Sequence, residues 1–389
     1  MKPRQFVLLL AAGLFWFAQY IYIPYQTAFL LSLGVSSAVV GIVTGAYGFS
    51  QMALRVPVGL AADRQGRHRF FIFWGLAAAA LGSLLRILCP DALGFTLASL
   101  LSGVASAMWI SFMVLFISYF KPEEMAKATG LIIGANNTGI LLAFACGMFS
   151  YEKMGMSFLC LLSVLFAVGG IFLVLFIYEK PRAADFQPAL VRELIKICAN
   201  RKLLVFAGLA VVQQGLMMAT AMSFTIAILK NLGADGFDIG LSSLLFIAAV
   251  VAGAYFSSSQ AAAKIQPVFW VLSCFGVLAV YCFVTVRMSN IWAVDLLQVA
   301  AGVATGFLSS ILTAEAMREV PPDKKSTAMG LYQAVYAIGM TALPLLAGSI
   351  AEKITLTRAF DFLTALSILA LTLAFVYYRN QSRNLKKQA

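Results

Sequence analysis

Gly59-Leu60-Ala61-Ala62-Asp63-Arg64-Gln65-Gly66-Arg67-His68-Arg69 is a short charged interval wedged between two long apolar runs, Val35–Ala62 and Phe70–Cys89. An unpaired backbone group in hydrocarbon costs several kcal/mol, so a chain that crosses a bilayer is helical in lipid and turns in water. Asp63, Arg64, Arg67 and Arg69 mark such an aqueous turn. Gly59, without a Cβ, predicts a close approach by a neighbouring helix, and Gly66 supplies a reversal that other residues resist.

Working outward from this hairpin, the same alternation fills the chain. Apolar residues make up 61% and charged residues 11%, and the mean hydropathy is +0.90, which excludes a water-soluble fold. A span takes about 20 apolar residues, and twelve candidates succeed one another: Phe6–Leu33, Val35–Ala62, Phe70–Cys89, Ala92–Phe120, Ala128–Tyr151, Met156–Tyr178, Leu203–Leu229, Ile239–Ala263, Pro267–Val286, Ile291–Ala314, Ser326–Ala351 and Ala359–Tyr378. The predicted fold class is an all-α polytopic membrane protein. Phe6–Leu33 exceeds the 7–15 residues of a signal-peptide core, so it reads as a retained first helix. Nothing is left over for a soluble catalytic domain, and no Gly-x4-Gly-Lys-Ser/Thr loop is present, so neither an enzyme nor an ATP-driven pump is expected. The six cysteines, Cys89, Cys146, Cys160, Cys198, Cys274 and Cys282, stand singly in or beside apolar runs. They read as packing residues, with no metal site, disulfide framework or cofactor.

The net charge of +12 does not point to nucleic acid, because the basic residues collect in alternate loops. Lys2 and Arg4, Arg64 to Arg69, Lys121 and Lys127, Lys180 to Lys202, Lys264, Arg318 to Lys325 and Arg379 to Lys387 fall on one side; Lys153, Lys230, Arg287, Lys353 and Arg358 are the few on the other. This asymmetry predicts a multi-pass protein of the cell (inner) membrane with both termini in the cytoplasm, as an even number of spans also requires.

Between Glu179 and Lys202 the chain is polar and broken by Pro181 and Pro188. Leu190, Leu194, Ile197 and Cys198 would share one face of a short amphipathic helix, which lies on the inner leaflet or packs as a plain linker. The expected organisation is an N-terminal six-helix bundle over 1–178, this linker over 179–202, a C-terminal six-helix bundle over 203–378 and a basic tail over 379–389. The two bundles resemble each other. Pro122, Ala128, Gly130, Leu131 and Gly139 recur 200 positions later as Pro322, Ala328, Gly330, Leu331 and Gly339, and Gly103-Val104-Ala105-Ser106 recurs 199 positions later as Gly302-Val303-Ala304-Thr305. A shared offset across two spans is the mark of a duplication, where small-residue seams alone would explain only single glycines.

The order Gly-x-x-x-Asp-Arg-x-Gly-Arg, from Gly59 to Arg67, resembles the loop between helices 2 and 3 of the major facilitator superfamily. The resemblance implies two pseudo-symmetric six-helix bundles with a substrate site midway between them. It implies a cytoplasmic gate of Arg55, Gly59, Asp63, Arg64, Gly66 and Arg67, with Asp63 facing the start of the eleventh helix near Ser326 and Thr327, where a carboxylate is favoured by the helix dipole. The second half lacks this loop and reads Ser257-Ser258-Ser259-Gln260-Ala261-Ala262-Ala263-Lys264. Gly130-x8-Gly139-x3-Ala143-Phe144-x2-Gly147 is similar to the fifth-helix signature of drug–proton antiporters, but Ala143-Phe144 replaces the usual Gly-Pro. Ser99 likewise stands where those antiporters carry an arginine four residues before the glycine. Pro24, Gly34 and Gly41 are similar to the spacing in phenylpropionate permeases.

Polar residues near mid-span are the candidates for a cavity: Gln19 and Tyr22 in the first span, with Gln26 beside Pro24; Trp109 in the fourth; Asn136 and Asn137 in the fifth; Gln213 and Gln214 in the seventh; Gln298 in the tenth; Tyr332 and Tyr336 in the eleventh. Asp295, Gln298, Gly302, Thr305 and Ser309 form one stripe, matched by Ser99, Ser102, Ser106 and Trp109. Such stripes face the bundle interior or a wet cavity, and hydrogen bonds between helices explain them as well as substrate contact does. Arg55 and Arg86 lie close enough to span ends to reach water, and Asp361 sits near the outer end of its own span. Asp295 heads its stripe and is the candidate for proton coupling, because a low dielectric favours a neutral carboxylate; an interfacial carboxylate in contact with water is the plainer alternative. The reading that results is a monomeric secondary transporter for a small organic, amphipathic or weakly charged solute, coupled to ions or protons, with export favoured over uptake. A scarcity of mid-span cations argues against strongly anionic substrates. Proton-coupled uptake of a small metabolite, a lipid flippase on the same fold, and a membrane sensor without flux are the alternatives.

Overall fold

The computed structural model describes residues 2–121, 124–177, 179, 200–257, 259–320 and 325–388, without the side chains of 63, 64, 126, 261, 263, 325–327, 382 and 384–388. The expected amphipathic helix before Asn200 and Cys198 lie outside the described residues, as do the side chains that would form the Asp63 contact with Ser326 and Thr327.

Eleven helices among the described residues are long and apolar enough to cross a membrane. One of them, Met125–Leu175, is broken at Gly155 (φ 74°, ψ −177°). Its apolar length of 49 residues would reach about 74 Å if straight, more than twice a bilayer core. Both of its arms touch the same point of the first helix: Gly139 crosses Gly13 and Phe17, while the Phe166 ring stacks on Phe17 at 3.9 Å. The chain therefore folds back at Gly155, and twelve spans result, as the hydropathy predicts. They are α1 (Pro3–Ser32), α2 (Ser37–Gln65), α3 (His68–Leu88), α4 (Ala92–Ile117), α5 and α6 (the arms of Met125–Leu175 before and after Gly155), α7 (Arg201–Asn231), α8 (Gly236–Ser257), α9 (Pro267–Thr285), α10 (Ile291–Met317), α11 (Lys325–Lys353) and α12 (Leu356–Gln388).

Local chemistry explains where these helices bend and end. Tyr22 interrupts α1 just before Pro24, which has no N–H to give. The helix of α2 continues through Asp63 and Arg64 and stops at Gly66, whose left-handed φ of 60° lets its N–H return to the Ala62 carbonyl at 2.9 Å. The Asp91 side chain accepts from the Gly94 N–H at 2.7 Å to start α4, and Asn200 accepts from Leu203 at 3.1 Å to start α7.

The repeated glycines occupy equivalent crossings. Gly103 packs on Tyr47 and Ser50 of α2, and Gly302 on Phe246 and Ala249 of α8; Gly139 packs on α1, and Gly339 on Val211 of α7. A Cβ on Gly103 would stand 2.7 Å from the Ser50 Cβ, and one on Gly302 would stand 2.7 Å from the Ala249 Cβ. Backbones approach there as they do at small-residue seams.

The bundle has a hairpin end, which carries Gly66, and a far end, which carries Gly155. At the hairpin end, contacts run mainly within each half. The N–H groups of His68 and Arg69, at the start of α3, donate to the Glu179 carboxylate at 2.6 and 3.1 Å; Lys202 pairs with Glu315 at 3.0 Å and Glu319 at 3.4 Å. At the far end the two halves meet. Gly41, Gly45 and Gly48 of α2 lie against Met340, Thr341, Pro344 and Gly348 of α11, while Gly236 and Gly240 of α8 lie against Met148, Tyr151 and Glu152 of α5. Two carboxylates fasten these seams: Glu352 accepts from the Ala38 N–H at 2.8 Å, and Glu152 accepts from the Gly236 N–H at 2.8 Å. Each ends a span of one half and caps the start of a span in the other. Close packing at Gly59 is not found. A Cβ there would meet only Ile110 Cδ1 at 3.7 Å, an ordinary contact, because the tight glycine seam of α2 lies at its opposite end.

Candidate functional site

Where the halves come together, a small cavity is lined by Gln19, Tyr20, Tyr22, Ile23 and Gln26 of α1, by Val43, Thr44 and Tyr47 of α2, by Arg86 of α3, by Ser99 and Ser102 of α4, and by Met218 and Met222 of α7. Its free volume is about 20 Å³, room for about one water, so a larger solute requires these walls to part. A larger groove of about 880 Å³ lies between α7 and α12 at the hairpin end, outside the meeting of the halves.

Polar contacts order the cavity walls. Gln19 Nε2 donates to the Ser102 carbonyl at 2.9 Å and to Ser106 Oγ at 3.1 Å. The Tyr22 hydroxyl is 3.0 Å from Ser102 Oγ, and Tyr47 Oη is 2.8 Å from Ser106 Oγ. Arg86 is only 2% exposed. Its guanidinium sits over the Tyr22 ring, 3.9 Å from the centroid, and Nη2 donates to Ser102 Oγ at 3.2 Å. Nε and Nη1 have no partner.

Both arginines differ from expectation. Neither turns outward to water: Arg86 points down its helix into the cavity, and Arg55, 5% exposed, donates to Gln51 Oε1 at 2.7 Å and across the halves to the Tyr336 hydroxyl at 3.0 Å. Carrying an ion out of water is expensive on the order of several kcal/mol, and aromatic faces and hydroxyls offset part of that here. The interior is therefore not free of cationic groups. The signal was present in sequence, since an arginine inside an apolar run is rare; only its direction was misjudged. A second missed signal is the α2 stripe Thr44, Tyr47, Gln51 and Arg55, at steps of three, four and four.

The remaining expected residues divide by half and by depth. Gln213 Nε2 donates to Ser309 Oγ at 3.1 Å and to the Thr305 carbonyl at 3.5 Å, the counterpart of Gln19. Gln298 Oε1 accepts from the Tyr281 hydroxyl at 2.9 Å inside the C-terminal half, away from the cavity. Trp109 belongs to an aromatic cluster, edge-on to Trp16 at 5.2 Å. Tyr332 is buried beneath Tyr336, ring to ring at 5.6 Å. Asn136, Asn137 and Gln214 are half-buried, Asn136 with an unpartnered Oδ1. Asp295 is 4% exposed, with one oxygen unpartnered, beside Ser242 of α8, and does not reach the cavity lining. Asp361 is bridged to Arg287 at 2.5 Å and Arg358 at 3.5 Å. Of the hairpin residues, Gly66 caps α2 and Arg67 is exposed, while the side chains of Asp63 and Arg64 fall outside the description. Cys89, Cys146, Cys160, Cys274 and Cys282 are free.

One feature of α7 had no counterpart in the sequence reading. Thr220–Phe224 is a π-helical turn. It brings Ser223 Oγ within 3.2 Å of Thr27 Oγ1 on α1 and 3.4 Å of Thr44 Oγ1 on α2. Wide turns of this kind often mark functional positions.

Two glycine-seamed halves around a polar cavity define a helical membrane transporter fold. The profile of the Major Facilitator Superfamily matches residues 8–257 and again residues 208–389; the chain belongs to this superfamily, whose members are transporters rather than enzymes. It is 25% identical over 329 residues, covering 82% of this chain and 70% of the relative, to the inner membrane transport protein YajR of Escherichia coli strain K12. It is 21% identical over 373 residues to an uncharacterized MFS-type transporter of Methanocaldococcus jannaschii, covering 89% of this chain and 90% of that one. Among solved structures, a bacterial homolog of the human lysosomal transporter Spinster, in an inward-facing and occupied conformation, superposes with a TM-score of 0.76 at 13% identity, covering 97% of this chain and 98% of the other.

Proposed function

We propose that this chain is a monomeric secondary transporter of the inner membrane that exports a small organic solute by alternating access, using a proton or ion gradient. The observation that carries the reading is the cavity at the meeting of the two halves, lined by Gln19, Tyr22, Gln26 and Arg86 opposite Met218 and Met222. The hairpin end and both termini face the cytoplasm in this reading, in keeping with the placement of basic residues. The far-end seams then close the outer side, and the inner side is the one free to open. In keeping with that, Gly130 and Gly134, toward the hairpin end of α5, have no neighbour within contact of an added Cβ. The domain division at 178 and 203, the gate around Asp63 and proton handling by Asp295 belong to the same reading.

Reconstitution into liposomes tests it. Labelled solutes supplied with and without an imposed pH gradient should show gradient-dependent flux. Absence of flux for every solute, or movement of labelled phospholipid between leaflets in its place, overturns it.

A further inference from the structure

Arg86 carries a full positive charge at 2% exposure, and no ion pair joins it or Arg55 to a carboxylate among the described residues. Buried charges in folded proteins are ordinarily paired. Arg55 is at least supplied with two neutral acceptors, Gln51 and Tyr336. Arg86 has one, the Ser102 hydroxyl at 3.2 Å. Of its five N–H donors, the one on Nε and the two on Nη1 have no acceptor. The head group is nevertheless held in place, over the Tyr22 ring at 3.9 Å and near Phe95 at 5.8 Å. Nη1 packs against Gly82, one turn earlier, 3.6 Å from where a Cβ would stand. In the same cavity, one turn after Tyr22, Gln26 Oε1 is buried and also unpartnered. The opposite wall is Met218 and Met222, flexible apolar side chains that mould to irregular shapes.

We propose that Arg86 is the anion-recognition group of the transport cavity and that the substrate is an organic monocarboxylate. Its carboxylate accepts from the unpartnered N–H groups of Nη1 or of Nε, which lie on different edges of the guanidinium, and its apolar body lies against Met218 and Met222. Gln26 supplies a second polar anchor for substrates that carry a hydroxyl or amide group. A planar guanidinium fixed on an aromatic face suits a carboxylate in geometry as well as charge. The assignment rests on the cavity being the transport site. It favours a single negative charge, since one guanidinium lines the cavity.

The test uses purified full-length protein and matched probes: benzoate and butyrate against benzamide and butyramide. Thermal stabilisation and calorimetric binding should follow the carboxylates and not the amides. Arg86→Gln should weaken carboxylate binding tenfold or more, while Arg86→Lys should retain part of it. Liposome flux of the bound acid should fall in the same order. If Arg86 only props Tyr22, its replacement lowers the melting temperature of the unliganded protein and leaves the acid-to-amide preference unchanged, and the proposal is wrong. Binding of amides as well as acids by the wild type also overturns it, and that comparison decides the matter even if the variants fail to fold. These outcomes separate from failure of the transporter reading: neutral or cationic solutes crossing by a gradient-driven route leave a transporter with a different substrate, whereas no flux of any solute removes both.

Discussion

Gln19 and Gln213 perform the same task in the two halves. Each sends its amide from the first helix of its bundle to a carbonyl and a hydroxyl on the fourth. Hydrogen bonds between spans contribute about 1 kcal/mol each. Gln19→Ala and Gln213→Ala each remove two such bonds and should therefore each lower stability by about 2 kcal/mol, measured as the unfolding midpoint in detergent, with the larger effect on flux at Gln19 because only it lines the cavity. Asp295, buried beside Ser242 with one oxygen unpartnered, makes the coupling prediction: Asp295→Asn should retain downhill exchange of solute and lose dependence on the pH gradient in liposomes. At this scale the sequence revealed which side chains were polar and how deep they lay. It could not reveal which way each faced. Trp109 and Gln298 satisfy the same spacing rule as Gln19, yet turn into their own half, because rotation of a helix is set by partners such as Tyr281 or Trp16 on other spans.

At the scale of the helix, the two seams at the far end are fastened alike. Glu152 and Glu352 stand 200 positions apart, and each caps a helix start in the opposite half. A carboxylate at a helix N-terminus is favoured by the helix dipole and by the N–H groups it accepts from. Both caps form only while the far end is closed, so together they bias the opening equilibrium toward that state. Glu152→Gln with Glu352→Gln should shift the population toward a far-end-open state, seen as faster labelling by an impermeant maleimide of cysteines that replace Thr341 and Met148, which face the two glycine seams, with each single variant intermediate. At the other end, Asp63→Asn should leave the protein folded and impair transport; wild-type turnover in that variant would remove Asp63 from the gate. The glycine pairs were legible because a duplicated crossing demands the same small residue twice. The carboxylate caps were not, since Glu152 and Glu352 are ordinary polar residues in short loops until the facing helix is known.

For the molecule as a whole, the twelve spans and the twofold repeat could be read from hydropathy and offsets, because lipid leaves a chain few ways to satisfy its backbone. Which end is closed could not be read, since it depends on how the two halves are tilted. The arrangement makes a directional prediction. Cysteines introduced at Gly130 and Gly134 should react with an impermeant maleimide in inverted vesicles and resist it in right-side-out cells. The reverse pattern would mean that the hairpin end faces outward.

The hydroxyls of Ser223, Thr27 and Thr44 lie where the π-helical turn meets the opposite half. Each is both donor and acceptor, and none carries a charge. If α7 slides against α1 and α2 in the proposed alternating-access cycle, these groups can trade partners with one another or with an arriving water instead of surrendering a bond. In that cycle the joint would act as a bearing whose teeth are interchangeable. Swapping Ser223 for alanine would leave the machine assembled and stiff.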